Sequence, residues 1–372
     1  MRINKQKKNL CKTLLKTMCI VLGILILALL AYIVYLYASY YRIEDNQELV
    51  VEAPVDDTTT GAAAVLATDT EYSAVTYNIG FGAYLPDYSF FMDGGTSSWA
   101  ESPETVQYAI NGAGELVKSL DPDFALIQEI DLDATRSYHT DEYEMLRNIL
   151  PEYTTVFAQN YDSAFLFYPF TQPHGSSRAG LGLFSKYPVS SALRRSFPIS
   201  TSFSKFFDLD RCYSVSRIPV DNGKKLVIFN LHMSAYGNSD EIRKGQIEML
   251  CNDMAKEYEA GNYVLCGGDF NHDLKASEED AESCESWAFP FPRSDLPEHF
   301  TFCLDLLTEE EQAALWNSAR NADMEYVPGV TYTVTLDGFI ISDNIECLSY
   351  ENVNTGYSYS DHDPVKVEFM LK

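Results

Sequence analysis

The 372-residue chain is 46% hydrophobic and 22% charged. That is enough apolar material for a full core and excludes a wholly disordered chain. Seven of its 27 basic residues precede the first acid, Glu44, so the remaining 330 residues carry 20 basic and 54 acidic side chains, a formal −34; such a surface repels polyanions and argues against sequence-independent binding of long nucleic acid.

Residues 1–17 are basic, and Met18–Ala38 is a 21-residue run without a charge. At about 1.5 Å per residue the run spans a hydrocarbon core of roughly 30 Å. Tyr32, Tyr35, Tyr37, Tyr40 and Tyr41 crowd its C-terminal end, where an aromatic belt would sit. This predicts a cytoplasmic tail over 1–17, a transmembrane anchor over 18–41 and everything later outside the cell membrane. A cleaved signal peptide would have an apolar region of only about 7–15 residues and a small-x-small site. Ala38-Ser39-Tyr40 is a poor site, so the anchor is expected to stay uncleaved. Residues 42–70, acidic and rich in Thr and Ala, read as a flexible linker.

Residues 71–372 read as one domain. YSAVTYNI (72–79) alternates and predicts a strand; 80–100 reads as a long loop; 101–120 has a helical pattern ending at Asp121-Pro122. DFALIQEI (123–130) predicts a buried strand and 141–150 a helix. Strands are expected at about 153–158, 180–185 and 213–219, and over LVIFNLH (226–232). Ile247, Leu250, Cys251, Met254 and Tyr258 make a one-faced helix of 238–260. NYVLCGGDF (262–270) predicts a strand entering a Gly turn, and 272–300 a long acidic loop. A helix near 308–319 precedes strands at about 335–342, 345–352 and 364–371. Strands mixed with helices, several too closely spaced for crossover helices, predict an α/β domain with mixed sheets. Six of the eight cysteines (Cys212, Cys251, Cys266, Cys284, Cys303, Cys347) follow the anchor without CxxC spacing, so no zinc site is indicated. Disulfides are permitted outside a cell but not demanded.

Polar residues gather where apolar strands stop: Asn78, Glu129, His232, Asp269 with Asn271, and Asp361-His362 before DPVKVEF. Asp337 opens DGFIIS. Each alone has a plain structural reading, as a turn Asn, a strand-end acid facing water or a core histidine. Together they line one edge of the sheets.

TYNIG, IQEID, FNLHMSA, GGDFN, LDGFIIS and SDHDPV occur in the order found in the endonuclease/exonuclease/phosphatase superfamily, which residues 72–372 resemble. The resemblance implies a four-layer α/β sandwich of two packed mixed β-sheets flanked by helices. It implies a Mg²⁺ site, or Mn²⁺ in its place, at Glu129 with Asn78 and Asp361. It implies that Asp269 and Asn271 orient the attacking water and a phosphate oxygen. His362, oriented by Asp337, would stand at the scissile phosphate, with His232 as the second histidine. Elementary chemistry asks for the same parts: a carboxylate-held cation, two imidazoles that share acid and base roles, and an acid that fixes a histidine tautomer. There is no Gly-x-Ser-x-Gly nucleophile, so direct water attack is expected.

Arg136 and Arg178, among few arginines in an acidic domain, are candidate substrate contacts, a surface salt bridge being the alternative for each. The aromatic loops at 90–95 and 288–300 could rim an apolar or sugar moiety or simply pack. The expected activity is hydrolysis of a small or lipid-linked phosphate ester by a membrane-tethered monomer. A nuclease on the same fold and a non-catalytic surface-binding module are the alternatives.

Overall fold

A computed structural model describes residues 2–56, 65–206, 208–235, 240–277 and 288–372. The chain divides into two compact units, Met1–Tyr41 and Arg42–Lys372. The first is a single helix, α1 (Arg2–Ser39), of which Asn9–Ser39 is long and apolar enough to cross a membrane. Its Leu22, Leu25, Leu27 and Leu30 are exposed, unlike those of a soluble core helix.

The second unit opens with two short strands, β1 (Gln47–Glu48) and β2 (Val51–Glu52), followed by β3 (Glu71–Asn78). Helix α2 (Pro103–Leu120) starts where the Ser102 hydroxyl accepts from the Thr105 N–H, with Pro103 in the first turn, and stops where Asp121 turns left-handed before Pro122. Then come β4 (Phe124–Ala134), α3 (Glu142–Ile149), β5 (Thr154–Asp162), β6 (Ser177–Ser185), β7 (Ser191–Ser196), β8 (Cys212–Pro219) and β9 (Lys225–His232). Helix α4 (Asp240–Glu259) leads to β10 (Tyr263–Asp269) and β11 (Phe300–Phe302). The chain closes with α5 (Glu309–Ala314), β12 (Ala319–Arg320), β13 (Thr333–Val334), β14 (Asp337–Ser342), β15 (Ile345–Asn352) and β16 (Val365–Leu371).

Two seven-stranded mixed sheets result, ordered β1-β7-β8-β9-β10-β14-β11 and β15-β16-β3-β4-β6-β5-β2. One large buried cluster joins Leu126, Val227, Phe229, Val264, Phe339 and Phe369, from both sheets, to Ile247, Leu250 and Met254 of α4. A second joins Tyr77, Ala125 and Ile127 to Val106, Ile110 and Val117 of α2 and Leu146 of α3. The layers are therefore α2/α3, sheet, sheet, α4, the four-layer sandwich expected.

Three stretches differ from the expectation. The linker over 42–70 is in part structured: Arg42 donates to the Phe197 carbonyl at 2.7 Å, β1 pairs with β7, and β2 pairs with β5. This acidic segment covers one open edge of each sheet, where unpaired backbone groups await a partner; 57–64 lie outside the described residues. The helix near 308–319 is shorter because Leu315 turns extended and Trp316 donates its indole N–H to Asp363. The loop at 272–300 ends in β11, an edge strand on β14, while 278–287, with Cys284, lie outside the described residues.

Candidate active site

Sheet pairing brings the strand-end residues to one rim. Strands β3 and β4 run parallel, and their pairing ends with Asn78 opposite Gln128, one residue before Glu129; β9 and β10 run parallel with Asp269 opposite His232. Strand β14 runs antiparallel to β10 and sets Asp337 opposite Asp269, while β16 runs antiparallel to β3 and draws Asp361-His362 in beside Asn78.

Glu129 owes its position to an irregularity. The β4–β6 register shifts between Ile127 and Ile130, and Glu129 has φ 56°. An extra residue in a strand re-aims its side chain, and a non-glycine residue in the left-handed region costs on the order of 1–3 kcal/mol. Two glycines fit the rim by shape. A side chain at Gly80 (φ 54°) would crowd Tyr84 and the Asp361 carboxylate, and one at Gly268 would overlap the Leu231 carbonyl.

Asn78 donates its amide N–H groups to Glu129 Oε1 (3.2 Å) and Asp269 Oδ2 (3.1 Å), while its Oδ1 accepts from the Gly80 N–H (3.0 Å). The Gly80 donor fixes the amide orientation. Asn78, expected beside the cation, thus bridges the two carboxylates Glu129 and Asp269. Asn271 (φ 50°) donates its backbone N–H to Asp269 Oδ1 (2.8 Å) and an amide N–H to the Met233 carbonyl (2.9 Å), which locks it beside Asp269.

The two histidines flank Asp269. His232 Nε2 lies 3.5 Å from Asp269 Oδ2 and 3.9 Å from Glu129 Oε1. His362 Nε2 lies 3.9 Å from Asp269 Oδ2, and its Nδ1 is 2.7 Å from Asp337 Oδ2. Asp337 also accepts from the Ser318 hydroxyl at 2.7 Å. The second acid of SDHDP is structural: Asp363 takes the Trp316 indole N–H and the Thr355 hydroxyl.

Burial would lower the pKa of His362, but Asp337, then Asp269 and Asp361, override it and hold the ring well above the ordinary histidine range. Burial, with Arg211 adding to it, holds His232 well below that range. Burial pushes Asp269 up to about 7, against the pull of His362. Glu129 and Asp361 are likewise raised, mainly by burial. Groups set apart in this way divide acid from base roles.

Asp269, Asp337 and His362 offer ligating atoms within 4.8 Å of one another. His362 Nδ1 already pairs with Asp337, however, so this trio is a hydrogen-bonded relay and not a free ligand set. Glu129 and Asp361 suit a hard cation better. They are oxygen donors with raised pKa values, and among the described residues neither has a lysine or arginine within ion-pair distance.

Neither arginine singled out in the sequence faces this rim as a free group. Arg136 is buried, gripping Asp131 with two N–H donors (3.0 and 2.8 Å) and lying 3.7 Å from the Phe81 ring centroid. Arg178 is exposed and paired with Asp133 at 2.9 Å. Each has a carboxylate within reach, the salt-bridge alternative that the sequence left open. The guanidinium that the sequence reading missed is Arg211, just before β8. It is buried, Nε and Nη1 have no hydrogen-bond partner among the described residues, and Asp208 is 3.9 Å away. Asn160, in the β5 bulge, is buried, and neither amide atom has a hydrogen-bond partner among the described residues. Cys212 Sγ, next to Arg211, is 3.8 Å from the Gln159 carbonyl. A lone Arg before a strand carries no sequence signal. The aromatic loops mainly pack: Phe81, Tyr84, Tyr88 and Phe90 meet edge to face, as do Phe270, Phe291 and Phe302.

Residues 75–305 match the endonuclease/exonuclease/phosphatase family. No match is found among curated proteins. The fold resembles that of an endonuclease/exonuclease/phosphatase from Beutenbergia cavernae (15% identity, TM-score 0.54, 81% of this chain and 72% of that one). It also resembles one from Bacteroides vulgatus (17%, 0.53, 82% and 100%). A third similar structure is D. rerio TDP2 complexed with single-strand DNA product (14%, 0.51, 81% and 99%). Members of the family are generally phosphoesterases or nucleases and typically depend on a divalent metal. With more than half of its length matched and the motif residues gathered at one rim, the chain belongs to the endonuclease/exonuclease/phosphatase family.

Proposed function

We propose that this chain is a Mg²⁺-dependent phosphodiesterase, with Mn²⁺ as an alternative ion, that acts outside the membrane to which α1 tethers it. The observation that carries this reading is the opposite setting of two histidines around one carboxylate: His362 held charged by Asp337, His232 held neutral, and Asp269 between them.

Glu129 and Asp361 hold the cation, and Asn78 keeps Glu129 in register. The bound ion supplies charge neutralisation at the phosphoryl oxygens. Asp269, when ionised, accepts a proton from the attacking water, and Asn271 orients that water. His362 donates from Nε2 to a phosphoryl oxygen, its Nδ1 proton held by Asp337. His232 carries a proton between Asp269 and the leaving oxygen. Arg211, with two donor nitrogens that have no partner among the described residues, and Asn160 bind the phosphate.

The acidic surface favours a small or lipid-linked phosphate ester over nucleic acid. The basic residues before Met18 set the N-terminus inside. A panel of single-stranded DNA, sphingomyelin, phosphoinositides and bis-p-nitrophenyl phosphate, each with and without Mg²⁺, tests the reading. Mg²⁺-dependent turnover of a diester supports it. Turnover of DNA alone makes the chain a nuclease, and no turnover of any substrate leaves a binding module.

A further inference from the structure

The residues that flank Arg211 and Asn160 are tied to the start of the second unit. Tyr213 pairs with Leu231, which sets Cys212 beside His232 and leaves Arg211 where β8 opens onto the rim. Gln159 pairs with Gly180, and Gly180 with Ile130, the residue after Glu129, which brings Asn160 to the same rim. Arg42 donates to the Phe197 carbonyl (2.7 Å) and to the Asp210 carboxylate (3.3 Å), and the Ile43 N–H donates to that carboxylate at 3.4 Å. The Phe197 N–H in turn donates to the Arg211 carbonyl at 3.0 Å. Arg194 is fully buried and donates to the carbonyls of Glu44 (3.1 Å), Asp210 (3.1 Å) and Gln159 (2.6 Å). One guanidinium thus joins the segment Arg42–Glu44 to the residue before Arg211 and the residue before Asn160.

We propose that Arg42 and Arg194 are positioning residues of the phosphate site, so that docking of the segment Arg42–Glu44 sets the affinity for the substrate phosphate; this rests on the reading above that Arg211 and Asn160 bind that phosphate. Neither arginine touches the substrate. Arg194 fixes the backbone on which both phosphate ligands stand. Arg42 acts through Asp210 and Phe197, the two residues that hold the main chain of Arg211.

Charge gives Arg42 a second effect. Asp210 is buried, and a buried carboxylate that loses its cation is left uncompensated at high cost. The guanidinium next to it in sequence is Arg211, whose Nε and Nη1 have no hydrogen-bond partner among the described residues. Without Arg42, the Asp210 charge draws those donors away from the rim. With Arg42 bound, Asp210 is satisfied and Arg211 stays open to an anion.

The test uses the purified full-length protein in detergent with saturating Mg²⁺. Inorganic phosphate is the probe, its affinity read from the rise in Tm with phosphate concentration, so binding is measured without turnover. Hydrolysis of bis-p-nitrophenyl phosphate is measured beside it. Arg42→Ala should weaken phosphate binding and lower kcat/KM by the same factor, about threefold to tenfold, the lower range for coupling between residues in contact. The loss should divide between kcat and KM as it does in Arg211→Ala. Arg42→Lys, which keeps the charge at Asp210, should recover most of it. Arg42→Ala combined with Arg211→Ala should be no worse than Arg211→Ala alone. Arg147→Ala is the control: it removes an ion pair to Glu52 of β2 (3.0 Å) without touching Asp210, and it should lower Tm and leave phosphate affinity and KM unchanged. Native phosphate affinity in Arg42→Ala, or losses that multiply in the double variant, would overturn the positioning role while the phosphate reading of Arg211 stands. Native phosphate affinity in Arg211→Ala would overturn that reading, and the positioning role with it.

Discussion

Replacing Asp337 by Asn removes one charge and little volume from a buried pair. Asp337 is fully buried, and its Oδ2 lies 2.7 Å from His362 Nδ1. The Asn carbonyl can still accept the Nδ1 proton, so the ring keeps its orientation but loses the largest influence that raises its pKa. A buried hydrogen bond to a charged group is worth about 1.5–3 kcal/mol, so kcat/KM should fall about 10- to 150-fold. His362→Ala, which deletes the acid itself, should cost about 10²–10⁴. The double variant should be little worse than His362→Ala, because groups that act as a unit are non-additive. The assay is bis-p-nitrophenyl phosphate hydrolysis with saturating Mg²⁺ across pH. His362 works in its charged form, so activity falls as pH rises through its pKa. In the native enzyme that descent lies well above the ordinary histidine range, and in Asp337→Asn it should move down toward about 6.5. Losses that multiply in the double variant, or a descent that stays in place, would refute the coupling of the two residues.

Arg211→Ala should reduce kcat/KM about 10- to 150-fold, the loss of a charged hydrogen bond to phosphate, whereas Arg178→Ala should change it less than about twofold, since an exposed ion pair is worth little; steady-state kinetics on both variants checks this. The metal-free protein should lose thermal stability as pH rises from 6 to 8. Glu129, Asp361 and Asp269 have raised pKa values, so the folded state binds more protons than the unfolded state between their ordinary and raised values, and the stability they contribute at low pH is lost as pH rises through the raised values, about 7 for Asp269. Adding Mg²⁺ at pH 8 should restore Tm, and a Tm unmoved by pH or Mg²⁺ would count against the site. Protease treatment of intact cells should release the domain after Arg42, and a domain protected until lysis would place it inside.

Helices α2 and α3 were legible from Asp121-Pro122 and Pro151 at their ends, and α4 from the helical spacing of its apolar residues. The strands that build the rim were legible as apolar runs ending in polar residues. Strand β7, SALRRS, was not: its arginines are satisfied by partners far along the chain, Arg194 by the Gln159 carbonyl and Arg195 by Asp45. The two-residue strands β1 and β2 exist only because β7 and β5 offer open edges, which no local pattern records. At the site, the residue types came from the sequence and their division of labour did not. The bulge at Glu129, the amide turned by Gly80 and the split between the histidines depend on which strand lies beside which. The choice between the two readings of Arg136 and Arg178 was hidden for the same reason, since their ion-pair partners are Asp131 five residues back and Asp133 across the sheet.

The most direct measurement is hydrolysis of bis-p-nitrophenyl phosphate by the purified full-length protein and by Glu129→Gln, alongside calorimetric titration of Mg²⁺ into each. The account predicts turnover by the native chain that EDTA abolishes and Mg²⁺ restores, with both turnover and the Mg²⁺ binding heat lost in the variant. Turnover that survives EDTA, or a variant that binds Mg²⁺ and hydrolyses the diester like the native chain, would contradict it.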